Sequence, residues 1–144
     1  MPPKKPKKTD TRNRASTSDI KRIAVEIPQG ISFSFRDFEN DNQKFLFNDK
    51  DFRYFECLLL RLRDLSKLTV PEIINNRSKS LRCHLIRWVD TTEPNGFGIP
   101  NEEEIVGSAY QFQISSNEHG RVHGFFIENV FYIVWLDPNH NLYQ

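Results

Sequence analysis

Tyr110-Gln-Phe-Gln-Ile114, Val122-His-Gly-Phe-Phe-Ile127 and Val130-Phe-Tyr-Ile-Val-Trp-Leu136 are separated only by Ser115 to Arg121, which holds the turn Ser116-Asn-Glu-His-Gly120, and by Glu128-Asn129. Tyr110, Phe112 and Ile114 alternate with polar residues, the period of a strand with one buried face. Glu128-Asn129 has the length of a two-residue hairpin turn. The run from Val130 to Leu136 is almost wholly apolar, as befits a central strand covered on both sides, and Asp137-Pro138 ends it because proline cannot donate to a ladder. Three consecutive antiparallel strands therefore organise the C-terminal third.

Upstream the period changes. Ile31, Phe33 and Phe35 alternate with Ser32, Ser34 and Arg36 after the turn signal Pro28-Gln-Gly30, predicting a strand. Phe45 and Phe47 repeat the alternation, as a short strand or as a lead into a helix. From Asp51 onward Phe52, Phe55, Leu58, Leu59, Leu62, Leu65 and Leu68 fall at steps of three and four, predicting an amphipathic helix capped by Asn48 or Asp49. Thr69-Val-Pro-Glu72 reads as a capping box opening a second, short helix through Ile73 and Ile74. Leu81 to Val89 reads as a strand, and Asp90 to Glu104, with Pro94, Gly96, Gly98 and Pro100, as a long loop. The fold class expected is α+β: an antiparallel sheet of four to five strands with two helices on one face.

Of the 144 residues, the first twenty-two carry eight basic side chains against Asp10 and Asp19, a net charge of +6. Their near-lack of apolar residues predicts a disordered basic arm over 1–22, followed by a single domain over 23–144. Lys4, Lys5, Lys7 and Lys8 give that arm the composition of a polyanion-binding tail or a nuclear localisation run. Residues 88 to 144 hold one basic residue, Arg121, against eight acids. Charge is thus segregated along the chain, and a charged partner responds to the local potential rather than to the overall +1. No apolar run reaches membrane-spanning length and the start lacks the apolar core of a secretory signal, so the expected location is cytoplasmic, with no membrane partner. Cys57 and Cys83 stand alone in apolar segments and are expected to be reduced.

The phosphate-binding loop, the nucleophile elbow and the paired zinc motifs are all missing from the sequence. No cofactor, metal or small-molecule ligand is expected; His119 and His123 flank one turn but lack further ligands. His84 sits among apolar residues, as a hydrogen-bonded core histidine or as an acid–base group. His140 and Tyr143 follow the last strand, where a rigid support presents them. Arg121 is either an internal salt-bridge partner or a phosphate ligand. Arg61, Arg63, Lys67, Arg77, Lys79, Arg82 and Arg87 supply a basic stretch with aromatic neighbours, suited to phosphate contact or to a solvated helix face.

The order strand, helix, short helix and antiparallel strands ending in Phe125 to Leu136 resembles the ribosome-dependent mRNA interferase toxins of the RelE/ParE superfamily, over about residues 31 to 144. By position the resemblance matches Arg82, Arg87, Arg121, His123, His140 and Tyr143 to the side chains that bind and cut mRNA in that family. It implies an endoribonuclease without metal, in which the 2′-hydroxyl attacks the adjacent phosphate, a His or Tyr moves protons and an Arg stabilises the phosphorane. His140, Arg121, His123 and Tyr143 would be catalytic, and RNA, the ribosome and an antitoxin or other protein would be partners. The alternative is a non-enzymatic nucleic-acid or protein interaction module with a basic arm and an acidic sheet face.

Overall fold

The computed structural model describes residues 2–3, 29–116 and 118–143. The expected basic arm, with Lys4, Lys5, Lys7 and Lys8, and the apolar residues Ile20 to Ile27 lie outside the described residues.

The elements in chain order are β1 (Ser32–Ser34), α1 (Phe52–Leu65), α2 (Val70–Ile74), β2 (His84–Leu85), a 3-10 turn (Trp88–Asp90), α3 (Glu102–Ile105), β3 (Ala109–Gln113), β4 (Arg121–Ile127) and β5 (Val130–Asp137). They form one five-stranded sheet in the order β1-β5-β4-β3-β2. The class is α+β as expected, but the sheet is mixed. β1 lies parallel to β5, with Phe33 opposite Phe131, while every other pairing is antiparallel. β1 and β5 are separated by three helices and three strands, so no tight hairpin turn imposes an antiparallel pairing between them.

One face of the sheet is covered by α1 and α2. Asp51, not Asn48 or Asp49, caps α1, its carboxylate accepting from the backbone N–H of Arg53 (3.1 Å) and Tyr54 (3.3 Å). Tyr54, Leu58, Leu62 and Leu65 form the buried stripe, packing with Phe112, Val122, Phe131, Ile133 and Leu136 from the strands. Phe52 and Leu59, expected on the inward face, are 78% and 66% exposed. The stripe starts at Tyr54, so Phe52, two before it, and Leu59, one after Leu58, turn outward. Thr69 caps α2 as expected, accepting from Glu72 N–H and donating its hydroxyl to the Glu72 carboxylate (2.9 Å).

Among the described residues no long helix covers the second face, and loops close it. Trp135 stacks on Phe45 (4.5 Å between centroids) and meets Trp88 and Phe97 edge-on. Phe45, in no strand, is fully buried here. Val134 is an extra residue in β5: Gly124 faces Ile133 and His123 faces Trp135, leaving Val134 unpaired in a bulge. Its carbonyl accepts from Glu39 N–H (2.9 Å), and the Glu39 carboxylate accepts from the Trp135 indole (3.2 Å). Gly124 is required at this bulge, since a Cβ would strike the Tyr132 carbonyl and the Phe131 ring.

The strand expected over 81–89 shrinks to two residues. Arg82 has φ of 41°, which breaks an extended run, and the chain turns into the 3-10 segment at Trp88. Part of the 90–104 loop is helical in α3, where the Glu102 carboxylate accepts from the backbone N–H groups of Phe97, Gly98 and Ile99. Phe35 is exposed and ends beyond β1. Cys57 and Cys83 are free thiols, and burial pushes the Cys83 thiol up to about 12.

Candidate active site

Alternation along the strands sends Gln111 and Gln113 of β3, Arg121 and His123 of β4 and Asp137 of β5 to the loop-covered face. Two adjacent rows result. Gln113, Arg121 and Asp137 are neighbours across three strands, and so are Gln111, His123 and Trp135. Below them the same face becomes apolar, with Ala109, Phe125 and Tyr132 in register. The polar groups thus gather at the end of the sheet where β4 begins and β5 ends.

His123 and Asp137 form the buried foundation of this end. His123 is 0% exposed, and its Nε2 lies 3.1 Å from Asp137 Oδ2. Asp137 also accepts from the backbone N–H of Asn141 at Oδ1 (2.8 Å) and of Leu142 at Oδ2 (3.0 Å). Burial alone would raise the Asp137 pKa, but the His123 hydrogen bond and those two amides outweigh it, so the carboxylate is held below its ordinary range. Burial lowers the His123 pKa, overriding the raising effect of the carboxylate, so the ring is neutral and donates from Nε2. Its Nδ1 is then a buried acceptor without a hydrogen-bond partner among the described residues.

The bonds to Asp137 fold the C-terminal tail back over the sheet. His140 takes a left-handed conformation (φ 56°), reversing the chain so that the next two amides reach the carboxylate. Leu142 is buried among the rings of the second face. Thr92 binds the tail through its N–H to Leu142 O (2.7 Å) and its hydroxyl to Asn141 O (2.8 Å), and the Asn141 amide donates to Lys44 O (2.9 Å). Tyr143 accepts from Arg87 N–H (3.1 Å). Gly120 allows the close approach on the other side: its φ is +70°, and a Cβ there would overlap the Asp137 carbonyl and Pro138.

Between tail and sheet lies a cleft of about 150 Å³ lined by Gln111, Arg121, Asp137, His140 and Tyr143. Arg121 stands opposite Asp137 in register, yet makes no hydrogen bond or ion pair among the described residues, and its Nε is buried without a partner. The carboxylate that would have paired with it is already occupied by His123 and two backbone amides. A guanidinium so placed has donors left over that suit an anion's oxygens. Tyr143 keeps its hydroxyl proton for a ligand, and exposed His140 carries an imidazole at the rim.

Three residues read from the sequence therefore meet at one cleft: Arg121, His140 and Tyr143. His123 lies behind it, touching Asp137 and the rings of Phe45 and Trp135. Gln111 and Asp137 complete the lining and went unnoticed in the sequence. The signal for Gln111 is a glutamine at a strand position in phase with Ala109 on one side and Gln113 on the other, on a strand whose other phase is wholly aromatic or aliphatic.

The basic residues divide. Arg61 turns inward, donating to Ile114 O (3.1 Å) and Ser80 O (2.9 Å), and burial lowers its pKa. Arg63 pairs with Asp64 and Arg87 with Asp90. Lys67, Arg77, Lys79 and Arg82 are exposed. The Arg77–Arg82 loop is fastened beside the polar end of the sheet: Gln113 N–H donates to Leu81 O (2.7 Å), and the Gln113 amide nitrogen, turned toward its acceptors, donates to Lys79 O (3.1 Å) and Ser116 O (3.0 Å). His84 is exposed on edge strand β2, opposite Gln111. Among the described residues no cluster of His, Cys, Asp and Glu could hold a metal ion, and no helix is long and apolar enough to cross a membrane.

No family model, curated protein or solved structure matches this chain.

Proposed function

We propose that the cleft between β4 and the C-terminal tail binds and cleaves an RNA phosphodiester, as a cytoplasmic endoribonuclease of the toxin type. The observation that carries this reading is Arg121, a guanidinium without a partner among the described residues, in a cleft shared with His140 and Tyr143. In the reaction, Arg121 holds a non-bridging phosphate oxygen. The ribose 2′-oxygen attacks phosphorus while its proton passes to the imidazole of His140, and the bond from phosphorus to the 5′-oxygen breaks. The 5′-oxygen leaves with a proton from solvent or from the protonated imidazole, giving a 2′,3′-cyclic phosphate and a 5′-hydroxyl. Tyr143 donates its hydroxyl proton as a hydrogen bond to the phosphate. The exposed Arg77, Lys79 and Arg82 beside this end of the sheet add attraction for the flanking backbone, offsetting the acidic character of the C-terminal half.

A second reading, a protein-interaction module, draws on the exposed apolar residues Phe52, Leu59 and Leu60 along one side of α1. The two are separated by inducible expression in bacteria of the wild type beside Arg121→Ala and His140→Ala, following growth and the integrity of translated mRNA. Arrest with cut mRNA that both substitutions relieve is the expected result. Unimpaired growth with intact mRNA, or arrest that both variants reproduce, would transfer the function to the helix surface.

A further inference from the structure

We infer that Gln111 recognises the ribose hydroxyl next to the phosphate held by Arg121, making the cleft selective for ribonucleotides over deoxyribonucleotides; this rests on the phosphodiester reading of the cleft.

Gln111 is only 4% exposed, yet its side chain makes no hydrogen bond among the described residues and its Oε1 is buried without a partner. Buried side-chain amides are ordinarily satisfied, so this one is an exception that asks for a partner from outside the chain. The neighbouring strands do not provide it: His123, directly opposite on β4, directs Nε2 to Asp137, and His84 on β2 is exposed. The side chain lines the cleft beside Arg121. The two residues are diagonal neighbours on β3 and β4, a separation that long side chains bridge to reach adjacent groups of one ligand.

The chemistry of the two groups differs in a way that fits ribose phosphate. A guanidinium only donates and so takes a phosphate oxygen, whereas a carboxamide presents a donor at one end and an acceptor at the other. A hydroxyl both donates and accepts, so it matches the amide in either orientation. A 2′-hydrogen matches neither. In RNA the 2′-hydroxyl is adjacent to the 3′-phosphate, and it is the group by which a protein distinguishes RNA from DNA at a given site.

Binding, not cleavage, is the informative readout, because removing the 2′-hydroxyl also removes the nucleophile. A fluorescent single-stranded RNA oligonucleotide, the same sequence as DNA, and a series of RNAs with one 2′-deoxy position each are titrated against the full chain. The wild type is expected to bind the RNA roughly tenfold more tightly than the DNA, with most of that difference arising at one position. Gln111→Met, which keeps length and apolar volume, is expected to bind RNA at the DNA level and leave DNA affinity unchanged. Arg121→Gln is expected to weaken both.

The inference is overturned by a Gln111→Met variant that still discriminates RNA from DNA, or by wild type for which every single 2′-deoxy position costs less than twofold. The second result needs no variant, so a misfolded Gln111→Met leaves the question decidable. Failure of the wild type to bind either oligonucleotide, or binding indifferent to Arg121→Gln, would instead reject the phosphodiester reading of the cleft, and the assignment of Gln111 with it.

Discussion

The two faces of the sheet solve the same problem with different materials. The helix-covered face is closed by a stripe of Tyr54, Leu58, Leu62 and Leu65 against Phe112, Val122, Phe131, Ile133 and Leu136. Its buried and half-buried polar groups are few: the Tyr54 hydroxyl, its pKa raised by burial, the His119 ring packed edge-on against the Tyr54 ring, and Arg61 tied to two backbone carbonyls. The opposite face is closed by loops, and at one end it encloses Gln111, Gln113, Arg121, His123 and Asp137. A regular helix satisfies its own backbone and brings only side chains to the core. Loops arrive with unsatisfied amides, and Asp137 is the acceptor that takes two of them. The polar end that makes chemistry feasible is also what fastens the cover down.

This contrast sets an order of expected effects. Truncating Phe131→Ala on the helix side should cost about 3–5 kcal/mol in denaturant unfolding, as deletion of a fully buried ring with no polar role. A cost near 1 kcal/mol would mean that the helix layer is loosely packed and the faces are less different than described. On the loop side, Asp137→Asn should cost about 2 kcal/mol, because neutral Asn keeps one acceptor oxygen but loses the charge and one acceptor position. Hydrogen exchange at the Asn141 and Leu142 amides should accelerate more than at the core strands. Uniform acceleration across the sheet would show that the tail is not separately fastened.

Acid should discriminate between the faces as well. The folded pKa of His123 lies below its ordinary value of 6.5, so below that pH the unfolded chain binds a proton that the folded chain refuses. Stability should therefore fall as pH drops from about 6.5, by at most ~1.4 kcal/mol per pH unit. His123→Gln should flatten that dependence below pH 6.5 even if it lowers stability throughout. Asp137 contributes in a lower window: its folded pKa is below 3.8, so its stabilisation is complete above that value and is lost as pH falls through the folded pKa. A profile flat down to pH 4 in the wild type would contradict a neutral buried His123.

The smallest effect should be at Arg121. With no partner for its side chain among the described residues, Arg121→Ala is expected to change stability by less than about 0.5 kcal/mol. A loss of 2 kcal/mol or more would reveal a structural role and move Arg121 from the ligand side of the comparison to the packing side.

Legibility in the sequence follows the same divide. The last three strands were plain because short turns hold neighbours together and local periodicity reports them, and β3, β4 and β5 begin and end within a residue or two of expectation. The place of α1 was plain for the same reason, but not its inward face: Phe52 and Leu59 are as apolar as Leu58, and only the packed strands decide which stripe is buried. The parallel neighbour of β5 was invisible, since nothing near Ser32 refers to residues a hundred positions away. At the site, Arg121, His140 and Tyr143 stood out as residue types beside strand ends. Gln111 and Asp137 did not, because the polar phase of a strand ordinarily faces water, and here loops distant in sequence cover it.

Val134 carries a lesson about insertion and deletion rather than substitution. Take the residue away and Ile133, Trp135, Leu136 and Asp137 would still alternate correctly between the two faces, because it is a single extra step in an otherwise regular ladder. What that extra step supplies is local twist and the carbonyl to which Glu39 is tied, the anchor of the segment that carries Phe45 over Trp135. The loss of one codon there would leave a chain that still knows which side is in, while turning the end that holds Asp137 relative to the rest of the strand. Fold and cleft are in this sense separately heritable.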